Sequence, residues 1–259
     1  MDFFTTTILG FTQGLTEFLP ISSSGHLVIL QHLFGLSEGT MFLDILLHLG
    51  TALAIIIVLR KDIQWLITDS FSKDSVKRNT ALKYVGFIIL GTIPAGLAGV
   101  FLNDFFATLF SNPKAASAML LVTAALLFFS SMHKGNSASL STLKVIIIGV
   151  AQAIAIIPGI SRSGTTIAVA LLIGVSRKEA GRFSFLLALP AIFGAALLEA
   201  LKLDSSASVN YATVGLGFLT SLIVGVFALK LLLKFVDQGK LHYFGYYCIA
   251  AGVTCLFLL

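Results

Sequence analysis

One short stretch, Gln13 to His26, holds a carboxylate, a run of hydroxyls and an imidazole: Gln13 and Glu17 four apart, then Pro20, Ser22, Ser23, Ser24, Gly25 and His26. A second, Pro158 to Thr165, holds a guanidinium framed by two hydroxyls, Ser161-Arg162-Ser163, followed by Gly164 and Thr165. Carboxylate, hydroxyl and imidazole groups so arranged suit nucleophilic and acid–base chemistry. The planar arginine fork suits bidentate contact with phosphate. In both stretches Pro, Ser and Gly interrupt an apolar sequence, a pattern that ends one helix and caps the next through a hydroxyl. The new helix then offers unpaired N–H groups and the positive end of its dipole, which favour an anion. Two such ends and Arg162 predict a phosphate site.

The two stretches are copies. Gly10, Gln13, Ile21, Ser22, Ser24 and Gly25 match Gly149, Gln152, Ile160, Ser161, Ser163 and Gly164 at one offset of 139 residues. The mismatches carry the chemistry: Ile156 and Thr165 stand where the first copy has Glu17 and His26, and Arg162 stands where it has Ser23. A weaker likeness relates Val85-Gly86 through Pro94-Ala95-Gly96 to Val214-Gly215 through Val224-Gly225, so the duplication covers most of the chain.

The elements that must position these residues are membrane elements. With 57% hydrophobic and 11% charged residues, the chain is far more apolar than a soluble domain, which is roughly 45–50% apolar and 25% charged. Six segments, at about 41–59, 84–102, 114–132, 184–201, 211–233 and 243–259, approach the roughly 20 residues needed to span hydrocarbon. The pairs 3–18 with 24–36 and 143–157 with 164–176 are too short, and each reads as a re-entrant hairpin. Backbone that leaves helical geometry at membrane depth must be buried in protein or face a water-filled cavity, so the Pro20–Gly25 and Pro158–Gly164 turns should line one. The fold expected is an all-α integral membrane protein, with six transmembrane helices and two re-entrant hairpins in an inverted-topology repeat. Residues 1–132 form the first repeat, 133–142 a polar cytoplasmic linker and 143–259 the second.

Basic residues orient it. With the first hairpin on the outer side, the inner loops hold Arg60, Lys61, Lys73, Lys77, Arg78, Lys83, Lys134, Lys144, Arg177, Lys178, Arg182, Lys230, Lys234 and Lys240, fourteen of the 17 basic residues. The positive-inside rule selects that orientation and places both termini outside the cytoplasm. The second hairpin then enters from the opposite side, and the two breaks meet near the midplane, as in inverted-repeat membrane proteins. The net charge of +5 reflects this topology and anionic lipid, and no nucleic-acid partner is expected. The start of the chain, Met1-Asp2-Phe3-Phe4-Thr5, has no basic region or cleavage pattern of a removable signal. Cys248 and Cys255, seven apart on one helical face, pack there; a disulfide between residues two turns apart on one helix is geometrically implausible.

Gln13-Gly-Leu-Thr-Glu17-Phe-Leu-Pro-Ile-Ser-Ser-Ser-Gly-His26 and Pro158-Gly-Ile-Ser-Arg-Ser-Gly-Thr165 resemble the two signature motifs of the bacterial undecaprenyl-diphosphate phosphatases, also called bacitracin-resistance proteins. Phe42-Leu-Asp44-Ile with His48-Leu-Gly-Thr51, and Phe183 through Pro190, extend the likeness across almost the whole chain. The resemblance implies an inner-membrane hydrolase that removes the terminal phosphate of undecaprenyl diphosphate, so that the lipid carrier returns to cell-wall synthesis. It further implies a divalent cation, Mg2+ or Ca2+, with Glu17 as its ligand. Gln13 stands where some members have a second glutamate, which leaves Glu17 as the acidic group.

On that reading Ser23 is the nucleophile, Glu17 the general base or cation ligand, and His26 the acid, base or leaving-group partner. Arg162 neutralises charge on the phosphoryl oxygens. Gln13, Ser22, Ser24, Gly25, Ser161, Ser163, Gly164 and Thr165 form the substrate-binding frame. Direct attack by water with Glu17 as base competes with Ser23. The expected partners are a polyprenyl diphosphate lipid, membrane lipids and a second copy of the chain in a homodimer. Plainer readings stand beside these: Ser22–Ser24 as helix caps, Glu17 and Arg162 as a structural ion pair, His26 as a satisfied core histidine, and Gly10 and Gly14 as close-packing positions. Asp44 and His48, four apart, suit either support of the site or interhelical hydrogen bonding. A transporter for a phosphorylated lipid or anion would use the same anion site, but it would not need Glu17 and His26 in one copy only.

Overall fold

Hydroxyl, carboxyl and amide caps divide the apolar sequence into helices. In the computed structural model, which describes residues 2–36, 41–110, 112–132, 139–202 and 210–258, the order is α1 (Phe3–Thr16), α2 (Ser23–Leu33), α3 (Met41–Val58), α4 (Arg60–Ser70), α5 (Ser75–Phe101), α6 (Asn103–Phe110), α7 (Pro113–Ser131), α8 (Thr142–Ile154), α9 (Arg162–Leu172), α10 (Arg177–Ala200), α11 (Tyr211–Asp237) and α12 (His242–Leu258). Asp2, Asp74, Asn112, Ser176 and Asn210 cap α1, α5, α7, α10 and α11 by accepting from backbone N–H groups of the first turn. Each satisfies donors that a helix start leaves unpaired. Among the described residues there is no strand.

All six expected spans are helical. Five of them, α3, α5, α7, α10 and α11, are long and apolar enough to cross a membrane; α12 has 17 residues. α5 and α10 start earlier than hydropathy predicts, because their first turns carry Lys77, Arg78, Lys83, Arg177, Lys178 and Arg182. On α5, Ile89, Ile93, Leu97 and Phe101 form an exposed apolar stripe at four-residue spacing. Lipid is the solvent that such a stripe suits, and the chain is a multi-pass membrane protein. α4 and α6 were not foreseen. α4 is held by Arg182 of α10, whose Nε lies 2.7 Å from Asp62 Oδ1 and whose guanidinium stacks over Trp65 and Tyr84. Residues 133–138 of the expected linker, with Lys134, lie outside the described residues. Cys248 and Cys255 are free thiols.

The four short helices pair as α1 with α2 and α8 with α9, each pair broken by non-helical backbone at 17–22 and 155–161. Small residues let long helices carry them at close range. A Cβ on Gly10 would lie 2.6 Å from Gly217 O, and one on Gly14 would lie 2.6 Å from Ser221 O, so α1 rests directly on the backbone of α11. Likewise a Cβ on Gly149 of α8 would lie 2.6 Å from Gly91 O of α5. In lipid, where no hydrophobic force drives helices together, such close backbone contact is what holds them. Gly10 and Gly14 are therefore packing positions. Gly14→Ala should push α1 off α11 and lower stability by about 2 kcal/mol, the usual cost of overpacking. Gly86→Ala, where the added carbon meets open space, should leave it unchanged; thermal unfolding of the two variants in one detergent makes the comparison.

Candidate active site

The two breaks meet. Gly159 N donates to Ser22 Oγ at 3.1 Å, a Cβ on Gly25 would lie 3.0 Å from Gly159 Cα, and one on Gly164 would lie 3.0 Å from Pro20 Cβ. Gly159 has φ +92°, and a side chain there would collide with the backbone of Ala116 on α7. Only glycine combines that backbone with that approach. α7 clamps the second break through Thr123, whose Oγ1 donates to Gly159 O at 2.9 Å and accepts from Ser161 N at 3.0 Å. Ser22 has φ +67°, a left-handed backbone rare for serine. Two N–H groups converging on its Oγ, from Gly25 at 3.3 Å and Gly159 at 3.1 Å, hold it there.

Arg162, at the first position of α9, forms an ion pair through Nη2 with Oε1 of Glu17, the residue just past α1. The other oxygen of Glu17, Oε2, accepts from Ser23 Oγ at 2.5 Å and from Gln13 Nε2 at 3.1 Å. Arg162 Nη1 donates to Ala188 O of α10 at 3.3 Å. The carboxylate is buried, so this shell of three donors replaces the water it would otherwise need. A small cavity beside the pair is lined by Glu17, Arg162, Ser163, Thr166 and Ser184. A short hydrogen bond from a serine hydroxyl to a buried carboxylate is the arrangement that lets the carboxylate take the proton as the oxygen attacks.

Of the residues expected from sequence, Gln13, Glu17, Ser23 and Arg162 form one bonded cluster. Ser22 and Ser161 are the N-caps of α2 and α9, accepting from Gly25 N at 3.3 Å and Gly164 N at 3.1 Å. Ser24 and Ser163 each lie 3.3 Å, oxygen to oxygen, from their capping serine. Gly25 and Gly164 allow the breaks to approach, as their contacts above show. Thr165 is buried, and its hydroxyl has no partner.

His26 points elsewhere. Its Nδ1 lies 2.8 Å from Ser22 O and its Nε2 2.7 Å from Tyr247 OH of α12. Nδ1 can only donate to a carbonyl, so in the neutral imidazole Nε2 accepts from the tyrosine. Both groups line an apolar groove of about 230 Å³ between α1, α2, α7 and α12, with Phe11, Leu15 and Leu30.

Sequence reasoning left Asp44 and His48 between two roles, and the structure divides them. Asp44 accepts from Gln31 Nε2 at 2.9 and 3.1 Å, tying α3 to α2. His48, whose Nδ1 lies 2.8 Å from Asp44 O, brings Nε2 within 4.0 Å of Glu17 Oε2. Tyr247, Thr123 and Ser184 were missed; each sits in an apolar span with no local signal. Among the described residues no group of three His, Cys, Asp or Glu side chains stands together as a metal site. A hard cation would still find two oxygens here, the Glu17 carboxylate and Gln13 Oε1, which is buried without a partner. Mg2+ suits so few protein ligands when substrate phosphates complete its shell.

The family model for the bacitracin resistance protein BacA matches residues 6–254. The chain is 42% identical over 263 residues to the undecaprenyl-diphosphatase of Halothermothrix orenii, covering 100% of this chain and 98% of that one. It is 44% identical over 262 residues to that of Desulfosudis oleivorans, with 95% of each chain covered. To that of Korarchaeum cryptofilum it is 41% identical over 265 residues and 100% of both chains.

Removing one member of a buried ion pair strands the other. Arg162→Leu should cost about 3 kcal/mol of stability, and Glu17→Gln in the same chain should recover most of it. A double-mutant cycle by unfolding in detergent measures the coupling; additive costs would show that the two side chains do not stabilise each other.

Proposed function

The chain belongs to the bacitracin resistance protein BacA family, and we propose that it is an undecaprenyl-diphosphatase working at the Glu17–Arg162 cluster. It hydrolyses undecaprenyl diphosphate to undecaprenyl phosphate and inorganic phosphate, which recycles the lipid carrier for cell-wall synthesis and confers resistance to bacitracin. The observation that carries the site assignment is the 2.5 Å hydrogen bond from Ser23 to a carboxylate whose other oxygen faces Arg162. The terminal phosphoryl group binds Arg162, which draws the guanidinium away from Glu17 and frees that carboxylate oxygen. Ser23 Oγ then attacks phosphorus, its proton passes to Glu17, and the bond to the bridging oxygen breaks with undecaprenyl phosphate as leaving group. Glu17 hands that proton to the departing undecaprenyl phosphate; water then attacks the phosphoserine, and Glu17 takes the water's proton and returns it to Ser23 Oγ as the bond from that oxygen to phosphorus breaks and inorganic phosphate leaves. Arg162 neutralises the non-bridging oxygens throughout.

The apolar groove takes the proximal part of the prenyl chain. His26, at its wall and three residues from Ser23, is then placed beside the leaving phosphate, and Tyr247 holds it there. In its alternative role as cation ligand in place of base, Glu17 would hold a divalent cation, Mg2+ or Ca2+, with Gln13 Oε1 and substrate oxygens, and the cation would supply further charge neutralisation on the diphosphate.

The same reading gives six transmembrane helices and two re-entrant hairpins, α1–α2 and α8–α9, in inverted repeats 1–132 and 143–259 joined by a cytoplasmic linker. Contact between the two breaks, and the matching supports of α1 by α11 and α8 by α5, favour it. The basic residues favour an inner-membrane orientation with both termini, and the mouth of the site, outside the cytoplasm. A second copy of the chain is the protein partner on this reading.

Purified protein should release phosphate from undecaprenyl diphosphate, and Arg162→Ala should lower kcat/KM at least about 100-fold, as loss of one oxyanion donor does elsewhere. Acid quench during turnover should trap phosphoserine at Ser23, and Ser23→Ala should abolish the trap. Turnover with no phosphorylated residue would assign the attack to water instead. Protein that moved the lipid between leaflets without releasing phosphate would be a transporter.

A further inference from the structure

The α10 wall of the Glu17–Arg162 cavity holds a hydroxyl that the protein itself does not use. Ser184 is 3% exposed, lines the cavity, and its Oγ has no hydrogen-bond partner. The other hydroxyls lining the cavity, on α9, are engaged. Thr166 Oγ1 donates to Arg162 O at 2.9 Å, and Ser163 Oγ lies 3.3 Å from Ser161 Oγ. Hydroxyls inside helices ordinarily donate back to the carbonyl four residues earlier, as Thr16, Thr92, Ser117 and Thr220 do here. Ser184 makes no such bond.

Its position is specific. Ser184 and Ala188 are four apart on one face of α10, and Ala188 O is the acceptor for Arg162 Nη1 at 3.3 Å. The free hydroxyl therefore stands one helical turn from the group that fixes the guanidinium. A buried O–H with no acceptor is unfavourable unless a ligand completes it. A phosphoryl group on Arg162 has three non-bridging oxygens, more than one arginine fork can satisfy.

We propose that Ser184 is a phosphate-binding residue, donating to a non-bridging oxygen of the phosphoryl group that Arg162 holds. The inference rests on the reading of this cavity as the diphosphate site. It adds α10 to α1, α2 and α9 as an element touching the substrate. Because the hydroxyl makes no bond within the protein, removing it should weaken the ligand and not the fold.

The test compares wild type with Ser184→Ala and Ser184→Thr, using orthophosphate as the probe by calorimetry and as a product inhibitor, alongside kcat/KM for undecaprenyl diphosphate. Ser184→Ala should bind orthophosphate about tenfold more weakly and lose about tenfold in kcat/KM, the scale of one hydrogen bond to a charged group. Its unfolding midpoint should be no lower than that of wild type, and Ser184→Thr, which keeps the hydroxyl, should restore most of both losses. Wild-type orthophosphate affinity and kcat/KM in Ser184→Ala would overturn the inference. So would a lowered midpoint with affinity unchanged, which marks a packing role. Should Ser184→Ala not fold, Ser184→Cys, of similar size and a much weaker donor, carries the same comparison. Wild-type protein that released no phosphate from the lipid would instead reject the diphosphatase reading, while the binding comparison would still decide the role of Ser184.

Discussion

A carboxylate and a guanidinium cannot each stand alone inside a membrane protein, and the contact between Glu17 and Arg162 resolves both costs at once. An isolated charge at hydrocarbon depth is expensive on every scale, so the two must stay together through folding and between turnovers. They belong to residues 145 positions apart. The break after α1 must therefore be held against the break before α9, and much of the fold does this. Glycine-on-backbone contacts set α1 on α11 and α8 on α5. Thr123 of α7 fixes the second break from behind, and Gly159 reaches across to the hydroxyl of Ser22.

On the proposed reading, this contact is also the one that the substrate must open. Arg162 occupies one oxygen of Glu17, while Ser23 and Gln13 donate to the other. An incoming phosphoryl group would compete with Glu17 for the guanidinium, so that binding would be an exchange of partners. Arg162 does not swing freely during it, because Ala188 O restrains its other nitrogen. Arg162 Nη1, held by a carbonyl near Pro190 of α10, thus has a fixed direction that a lysine could not reproduce.

Much of this was legible in the sequence, for a physical reason. Breaks in apolar helices need Pro, Gly and hydroxyl caps, and those residue types stand out against an apolar background, so both breaks and the helices around them could be read directly. What escaped, or stayed between two roles as His48 did, depends on helix rotation. His48, Ser184 and Tyr247 lie in α3, α10 and α12, where a single polar residue gives no indication of which way it faces. Only packing turned His48 to Glu17, Ser184 to the Arg162 cavity and Tyr247 to His26. α4 escaped because its hold is a cation stacked on Trp65 and Tyr84 from α10, a contact that is long in sequence and silent in hydropathy. The left-handed Ser22 escaped because serine has no preference for that backbone; two converging N–H groups impose it.

The repeated residues and the unrepeated ones divide the labour. Ser22 and Ser161, matched between the copies, are the caps of α2 and α9, with their oxygens already committed to Gly25 N and Gly164 N. Gly10 and Gly149, also matched, are the points where the short helices touch their supports. The shared frame is thus the machinery for breaking and buttressing a helix. The residues proposed for the chemistry stand where the copies differ: Glu17 against Ile156, Ser23 against Arg162, His26 against Thr165. Gln13 and Gln152 show the consequence. The first donates to Glu17 at 3.1 Å, while the second, with no carboxylate one turn on, is buried with both amide atoms unpaired. A duplicated scaffold needs both breaks to keep their geometry, but needs the acid in only one. On the proposed assignment the base and its cation lie on different copies, so activity as well as stability would depend on the contact between the copies.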